Sequence, residues 1–133
     1  MHKLPTEVCN TRVLVVDDAP SMRSLLTCIL KSFGVSRVYE AADAKAAMKQ
    51  LETREIDLIF CDWEMPHKTG IEFFEEIRQH QNYSQIPFIL VTSVAETQKV
   101  RIAIQAGIQH YIVKPFKEVT IMEKLEQLYP EIS

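Results

Sequence analysis

Two short apolar stretches of the sequence end abruptly in aspartate: VLVVDD at residues 13–18 and LIFCD at residues 58–62. Aspartate is disfavoured in strands and costly to bury, so its place at the end of both stretches calls for an explanation. Short, continuous, β-branched apolar runs are typical of strands that are covered on both faces of a parallel sheet. If both strands end at the same edge of one sheet, three carboxylates meet there: Asp17, Asp18 and Asp62.

Strand and helix patterns alternate along the whole chain. The predicted strands are VLVV (13–16), RVYEA (37–41), IDLIFCD (56–62), PFILVTS (87–93) and HYIVKPF (110–116). Apolar residues at helical spacing predict helices from Pro20 to Gly34, after Asp43, after Thr69, from about Glu96 to Ala106 and over residues 119–129. Strands that alternate with helical crossovers indicate an α/β fold, a doubly wound five-stranded parallel sheet with helices on both faces.

Polar residues end four of these strands. Ligands of doubly wound sheets bind outside the carboxyl ends of the strands, so Asp17, Asp18, Asp62, Thr92 and Lys114 are expected to share one edge. Clustered carboxylates repel one another, and an open set of oxygen ligands suits Mg²⁺ better than zinc. Together with an ammonium and a hydroxyl, such a metal site would clamp the oxygens of a phosphoryl group. Because a carboxylate can be the nucleophile, the set predicts phosphoryl transfer onto an aspartate.

Composition narrows the alternatives. The chain has 133 residues, of which 47% are hydrophobic and 25% charged, as expected of one globular domain. A net charge of −3 argues against nucleic-acid binding. No apolar stretch approaches a membrane span, and the start of the chain has no signal-peptide core, so a cytoplasmic protein is expected. The three cysteines lack CxxC spacing, which favours reduced thiols.

Four stretches, taken in order, resemble the receiver domains of two-component response regulators: VDDAPSMR (16–23), DWEMP (62–66), FILVTS (88–93) and YIVKPF (111–116). The resemblance extends from about residue 12 to residue 129. It implies the flavodoxin-like receiver fold with strand order 2-1-3-4-5. We therefore expect residues 1–11 to be a short polar N-terminal arm and residues 12–130 to be the receiver, with no output domain.

The resemblance also implies a role for each site residue. Asp62 corresponds to the phosphoacceptor, and Asp17 and Asp18 to the residues that hold Mg²⁺. Glu64 stands where the family ligates the metal through a backbone carbonyl. Because many relatives lack an acidic residue here, we hypothesise that the Glu64 side chain alters the lifetime of the phosphorylated form.

The remaining site residues follow the family pattern at the fourth and fifth strands. Thr92 and Lys114 correspond to residues that contact the phosphoryl oxygens, and Ser93 is a small neighbour that does not block them. Tyr111 corresponds to an aromatic residue that turns inward on activation. The Lys114–Pro115 bond resembles the cis peptide of the family.

Partners follow from the resemblance and from one missing motif. The sequence has no GxxxxGK[ST] loop to cradle ATP, so the phosphoryl group is expected from a sensor histidine kinase or phosphotransfer protein. The receiver would catalyse its own phosphorylation and dephosphorylation without a free-standing enzyme activity. It would signal to a downstream protein target through the face made by the fourth helix, the fifth strand and the fifth helix, with chemotaxis or motility as one output.

Two other functions stay open from the sequence. The chain could be a phosphorelay intermediate or phosphate sink. It could also be an aspartate-nucleophile phosphatase of the haloacid dehalogenase type, since Asp62 and Glu64 mimic the spacing of its two acids. In those enzymes, however, the nucleophile follows the first strand, whereas Asp62 follows the third.

Overall fold

The computed structural model describes residues 4–93 and 97–130. The strands are β1 (Arg12–Val16), β2 (Arg37–Ala41), β3 (Leu58–Asp62), β4 (Phe88–Thr92) and β5 (His110–Val113). The helices are α1 (Thr6–Cys9), α2 (Pro20–Ser32), α3 (Ala44–Thr53), α4 (Gly70–Arg78), α5 (Thr97–Ala106) and α6 (Glu118–Leu128).

The five strands form one parallel sheet in the order β2-β1-β3-β4-β5, which confirms the predicted fold class and strand order. In the register of the sheet, Val16 on β1 lies opposite Cys61 on β3, and Thr92 on β4 lies opposite Val113 on the edge strand β5. Because all strands run the same way, their carboxyl ends share one edge. Residues that follow β1, β3, β4 and β5 are therefore neighbours in space although they are far apart in sequence.

Each face of the sheet buries its own apolar cluster, because successive strand residues point to opposite faces. One face packs α3, α4 and α5 against the sheet, with Phe73, Phe74 and Ile77 among its buried residues. The other face packs α2 and α6, with Leu30 and Ile121 fully buried. The central strands β3 and β4 are buried throughout, which explains why their sequences are continuous apolar runs rather than alternating ones.

Side-chain caps fix the start of two helices, as the sequence predicts. The Asp43 carboxylate accepts a hydrogen bond from the Ala46 amide at 2.8 Å. Thr69 forms a full capping box with Glu72 at the start of α4. Because α4 follows the loop after β3, this cap fixes how that loop leaves the end of the strand.

Three strands are shorter than predicted. β3 begins at Leu58 rather than Ile56, β4 loses one residue at each end, and β5 ends at Val113. Pro115 has no amide hydrogen to continue the ladder, so Lys114 lies immediately after β5. The predicted start of the helix near Glu96 lies outside the described residues, and α5 is described from Thr97.

The N-terminal segment differs from the predicted polar arm. Its described part contains the helical turn α1, and the side chains of Leu4 and Val8 are buried. The Leu4 amide donates to the Phe33 carbonyl at 3.0 Å, and the Ser36 amide donates to the Cys9 carbonyl at 3.4 Å. Two apolar side chains within a polar stretch suffice to dock this segment beside the end of α2. Within the described ranges, no helix is both long and apolar enough to cross a bilayer.

Gly70 carries a testable packing constraint, because its Cα lies against the end of β3. A Cβ added at Gly70 would overlap the backbone carbonyl of Asp62 and lie 3.1 Å from Leu90 Cδ1. Replacing glycine by alanine in a helix usually stabilises by about 0.5–1 kcal/mol. For Gly70→Ala we expect the opposite sign, a loss of about 2–4 kcal/mol in the free energy of unfolding measured in urea.

Thr69→Ala is the matched control, because it removes the neighbouring cap without adding an atom and should cost about 1 kcal/mol. A Gly70→Ala variant as stable as the parent would contradict the packing described for this turn.

Candidate functional site

The first acidic residue of the site follows β1 directly. The Asp17 amide donates to the Ala41 carbonyl at 3.1 Å, which continues the ladder with β2 by one residue. Its Oδ1 atom accepts a hydrogen bond from the Ala19 amide at 2.9 Å, so the carboxylate is held at the turn into α2. Asp17 is buried, whereas Asp18 beside it is exposed.

Lys114 joins this carboxylate to that of Asp62, the last residue of β3. The Lys114 Nζ atom lies 3.1 Å from Asp17 Oδ2 and 3.2 Å from Asp62 Oδ1. The backbone holds the lysine at this edge, since its amide donates to the Thr92 carbonyl at 2.7 Å. The Lys114–Pro115 peptide is cis, as the resemblance implied. Residues that are far apart in the sequence thus form one buried, hydrogen-bonded group.

The three aspartates are close enough to hold one cation. One carboxylate oxygen from each of Asp17, Asp18 and Asp62 lies within 4.8 Å of the other two. Hard oxygen ligands, with one of the three carboxylates open to solvent, fit Mg²⁺, which retains several waters when bound to proteins. The donor set therefore fits the predicted metal, and the Glu64 backbone carbonyl as a further ligand stays a prediction.

Burial and like charge set the proton affinity of this group. Burial, and then the negative charge of Asp17, raise the pKa of Asp62 from its usual 3.8 to about 6, although Lys114 opposes the shift. Burial tends to lower the pKa of Lys114, but its hydrogen bonds and its charge contacts with Asp17 and Asp62 outweigh burial and raise it. At neutral pH the lysine is therefore charged and most Asp62 carboxyls are ionised.

The other residues predicted for the site differ in how deeply they are buried. Thr92 ends β4 and is buried at the same edge, and Ser93 after it is exposed. Tyr111 lies within β5 at the border of the sheet, 36% exposed, with Lys124 Nζ 5.7 Å from the centre of its ring. The described position of Tyr111 is thus an outward one.

The Glu64 side chain makes a contact that the sequence did not predict. Its Oε1 atom lies 3.1 Å from the Nζ atom of Lys99, which belongs to the first turns of α5. The same Nζ atom lies 5.3 Å from the centre of the Trp63 ring. No local pattern could have revealed this contact, because it joins residues that are distant in sequence and meet only in the folded chain.

Arg23 is a second residue that sequence reasoning left without a role. Its guanidinium donates to the Asp17 backbone carbonyl at 2.7 Å and to Glu40 Oε1 at 3.1 Å. Thr27 also donates to this glutamate. Arg23 therefore supports the backbone of the β1–α2 turn from outside, while its charge is paired with Glu40. Its place in the stretch VDDAPSMR was the only signal in the sequence.

Residues 13–126 match the family described as "Response regulator receiver domain". The chain is 32% identical over 123 residues to a protein named Chemotaxis protein CheY-3 from Vibrio cholerae. The aligned region covers 92% of this chain and 95% of that protein. It is 31% identical over 122 residues to Chemotaxis protein CheY from Pseudomonas aeruginosa, with 92% and 98% covered.

Solved structures give the same result. The crystallised chemotaxis protein CheY4 of Vibrio cholerae superposes with a TM-score of 0.82 at 30% identity, over 89% of this chain and 98% of that chain. The receiver domain of a sensor histidine kinase from Pseudomonas aeruginosa, solved with a magnesium ion coordinated in its active-site cleft, has a TM-score of 0.79 at 30% identity. It covers 89% of this chain and 96% of that chain.

The raised pKa of Asp62 predicts a pH-dependent stability in metal-free protein. A group whose pKa is higher in the folded state contributes stability below its unfolded pKa and loses it as pH rises through the folded value, here between about 4 and 6. Asp62→Asn should therefore gain on the order of 2 kcal/mol of unfolding free energy relative to the parent at about pH 8, and little at about pH 4. Urea unfolding in EDTA at both pH values measures the difference.

The exposed Asp57, which lies before β3 at the opposite edge of the sheet, provides the control variant Asp57→Asn. A gain for Asp62→Asn that is the same at both pH values would mean that the carboxylate is not destabilised by its surroundings.

Proposed function

We propose that Asp62 is the residue that accepts the phosphoryl group in two-component signalling. The proposal starts from the fact that the chain belongs to the response regulator receiver family. One observation carries the proposal: a single ammonium, Lys114 Nζ, contacts both Asp17 and Asp62, and Asp18 completes a group of oxygens spaced for one cation. Only Asp62 among the three aspartates ends the central strand β3, where it lies opposite Val91, the residue before Thr92 on β4.

The metal of the proposed site is Mg²⁺, held by the carboxylates of Asp17, Asp18 and Asp62 and by the backbone carbonyl of Glu64. When bound, it supplies a Lewis acid that offsets negative charge on the carboxylates and on the incoming phosphoryl oxygens. The magnesium ion in the cleft of the 30%-identical histidine kinase receiver supports this assignment. Lys114, whose pKa is raised, supplies a positive charge in contact with both Asp17 and Asp62.

In the proposed reaction, a carboxylate oxygen of Asp62 attacks the phosphorus of a phosphohistidine. The O–P bond forms as the P–N bond breaks, and the imidazole nitrogen leaves with the bonding electron pair. Lys114 and the Thr92 hydroxyl hold the phosphoryl oxygens, which fixes the geometry of attack and of the later hydrolysis by water. Asp62 must be ionised for this step, and a pKa of about 6 leaves it so at neutral pH.

The proposed signal leaves the site through β4 and β5. Thr92 and Val113 are paired, and the Lys114 amide donates to the Thr92 carbonyl at 2.7 Å. Movement of Thr92 toward a phosphoryl group would therefore be transmitted to the strand that carries Tyr111. We propose that Tyr111 turns inward from its outward position, while the small Ser93 leaves room at the site. The face of α5, β5 and α6 then changes for a protein target.

The relatives support a chemotaxis-type regulator as the first candidate, with a sensor histidine kinase or phosphotransfer protein as donor. The histidine kinase receiver favours a second candidate, a phosphorelay intermediate or phosphate sink, since receivers of that kind belong to kinases. Return of the phosphoryl group to a histidine protein would mark the second candidate. The phosphatase alternative loses support, because the family match is to receivers and Asp62 follows the third strand.

The proposal predicts a covalent adduct on one aspartate. Incubation with acetyl phosphate and Mg²⁺ should add about 80 Da to the intact protein, as expected for one phosphoryl group. Asp62→Asn and an excess of EDTA should both abolish the adduct, because one removes the nucleophile and the other the metal. Asp57→Asn, which changes an exposed aspartate away from the site, should keep it. An adduct that persists in Asp62→Asn would assign the phosphoryl group to another residue and overturn the proposal.

A further inference from the structure

Lys99 reaches from α5 to the loop that follows Asp62. Its Nζ atom lies 3.1 Å from Glu64 Oε1 and 5.3 Å from the centre of the Trp63 ring, so two consecutive residues of that loop hold it. The backbone of Trp63 is held, since its amide donates to the Val91 carbonyl and its carbonyl accepts from the Gly70 amide, and its side chain is buried. The ammonium therefore lies beside a buried ring and a carboxylate.

Lys99 makes its contacts outside its own helix. It lies near the beginning of the described part of α5, Thr97–Ala106. Its side chain is 34% exposed, which places the ammonium partly among protein groups rather than in open solvent. The contacts that stabilise it come from another element, the loop after β3. We therefore expect the role of Lys99 to concern that loop.

Glu64 is the group on which Lys99 can act. It lies two residues after Asp62, so their Cα atoms are at most about 7 Å apart, less than the Debye length of about 8 Å in physiological salt. The Glu64 side chain is 66% exposed and is held by Lys99. Without that contact its carboxylate would be free to turn toward the three aspartates, two of which form salt bridges with Lys114.

We propose that Lys99 is a positioning residue that holds the Glu64 carboxylate away from the acidic site, so that a fourth negative charge does not join Asp17, Asp18 and Asp62. This inference rests on the proposed function. Its consequences follow from charge alone. A released Glu64 would make the site more negative, which tightens binding of a divalent cation and slows the approach of an anionic phosphodonor.

A double-mutant cycle with Mg²⁺ alone as the probe tests the proposal without phosphorylation. Lys99→Gln keeps the side-chain stem over Trp63 and removes the charge, and Glu64→Gln removes the partner charge. Isothermal titration calorimetry should show that Lys99→Gln lowers the Kd for Mg²⁺ by about two- to fivefold, the range expected for a partly exposed ion pair. In the Glu64→Gln background the same change should alter the Kd by less than about 1.5-fold.

Two further variants serve as controls. Lys99→Arg keeps the charge and the contact with the ring, and should restore the parent Kd. Lys68→Gln removes the same charge from another ion pair, with Glu76, and should leave the Kd at the parent value.

In a second measurement, phosphorylation by acetyl phosphate at saturating Mg²⁺ should be about two- to fivefold slower in Lys99→Gln and normal in the double variant.

The outcomes separate the inference from the function on which it rests. A Kd that falls equally in both backgrounds would show that Lys99 acts only as a distant charge, and an unchanged Kd in Lys99→Gln would show that it does not act at all. Either result overturns the inference while leaving the proposed function intact. Failure of the parent protein to bind Mg²⁺ would instead overturn the proposed function.

Discussion

The fold holds three carboxylates at one edge of a sheet with a single lysine between two of them. Burial disfavours a carboxylate and like charges repel, and both effects raise the pKa of Asp62, burial more than the charge of Asp17. The arrangement persists because the carboxylates stand at the ends of strands whose apolar residues are fully buried on both faces. The stability of the core thus keeps in place a group of charges that would separate in a free chain.

The surrounding backbone helps to hold the site in place. Asp17 is held from one side by the Ala41 carbonyl and from the other by the Arg23 guanidinium. Gly70 packs closely against the backbone carbonyl of Asp62, which leaves no room for a side chain at position 70. Such a rigid frame suits phosphoryl transfer, in which most of the catalytic effect comes from placing charges that need no reorganisation during the reaction.

Much of this could be predicted from the sequence, because the decisive signals are local. Apolar runs that end in Asp17 and Asp62 gave the strand ends, and Thr69 gave the start of α4. The rule that ligands bind at the carboxyl ends of the strands joined these ends into one site, and the resemblance to receivers implied a role for each residue. What it could not give are contacts between distant residues that follow no general pattern. The Lys99–Glu64 pair belongs to that class.

The N-terminal segment shows a different limit of sequence reasoning. Its composition is polar, yet Leu4 and Val8 are buried, because two apolar side chains four residues apart are enough to dock a short segment. The average composition of the segment does not indicate the spacing of these two residues. The observed ends of three strands also differ from the predicted ones. Backbone hydrogen bonding decides where a strand stops, and apolar character alone does not indicate that position. The changed ends of β4 and β5 lie at the carboxyl edge itself, yet Thr92 still ends β4 and Lys114 directly follows β5.

The most direct test of the central claim is a crystal structure of the protein with Mg²⁺ and beryllium trifluoride, a stable mimic of a phosphoryl group. The account predicts beryllium density bonded to a carboxylate oxygen of Asp62, with fluorides near Thr92 and Lys114 and the metal among the three aspartates. Beryllium density on any other residue, or a metal bound away from this edge in the same crystals, would contradict it.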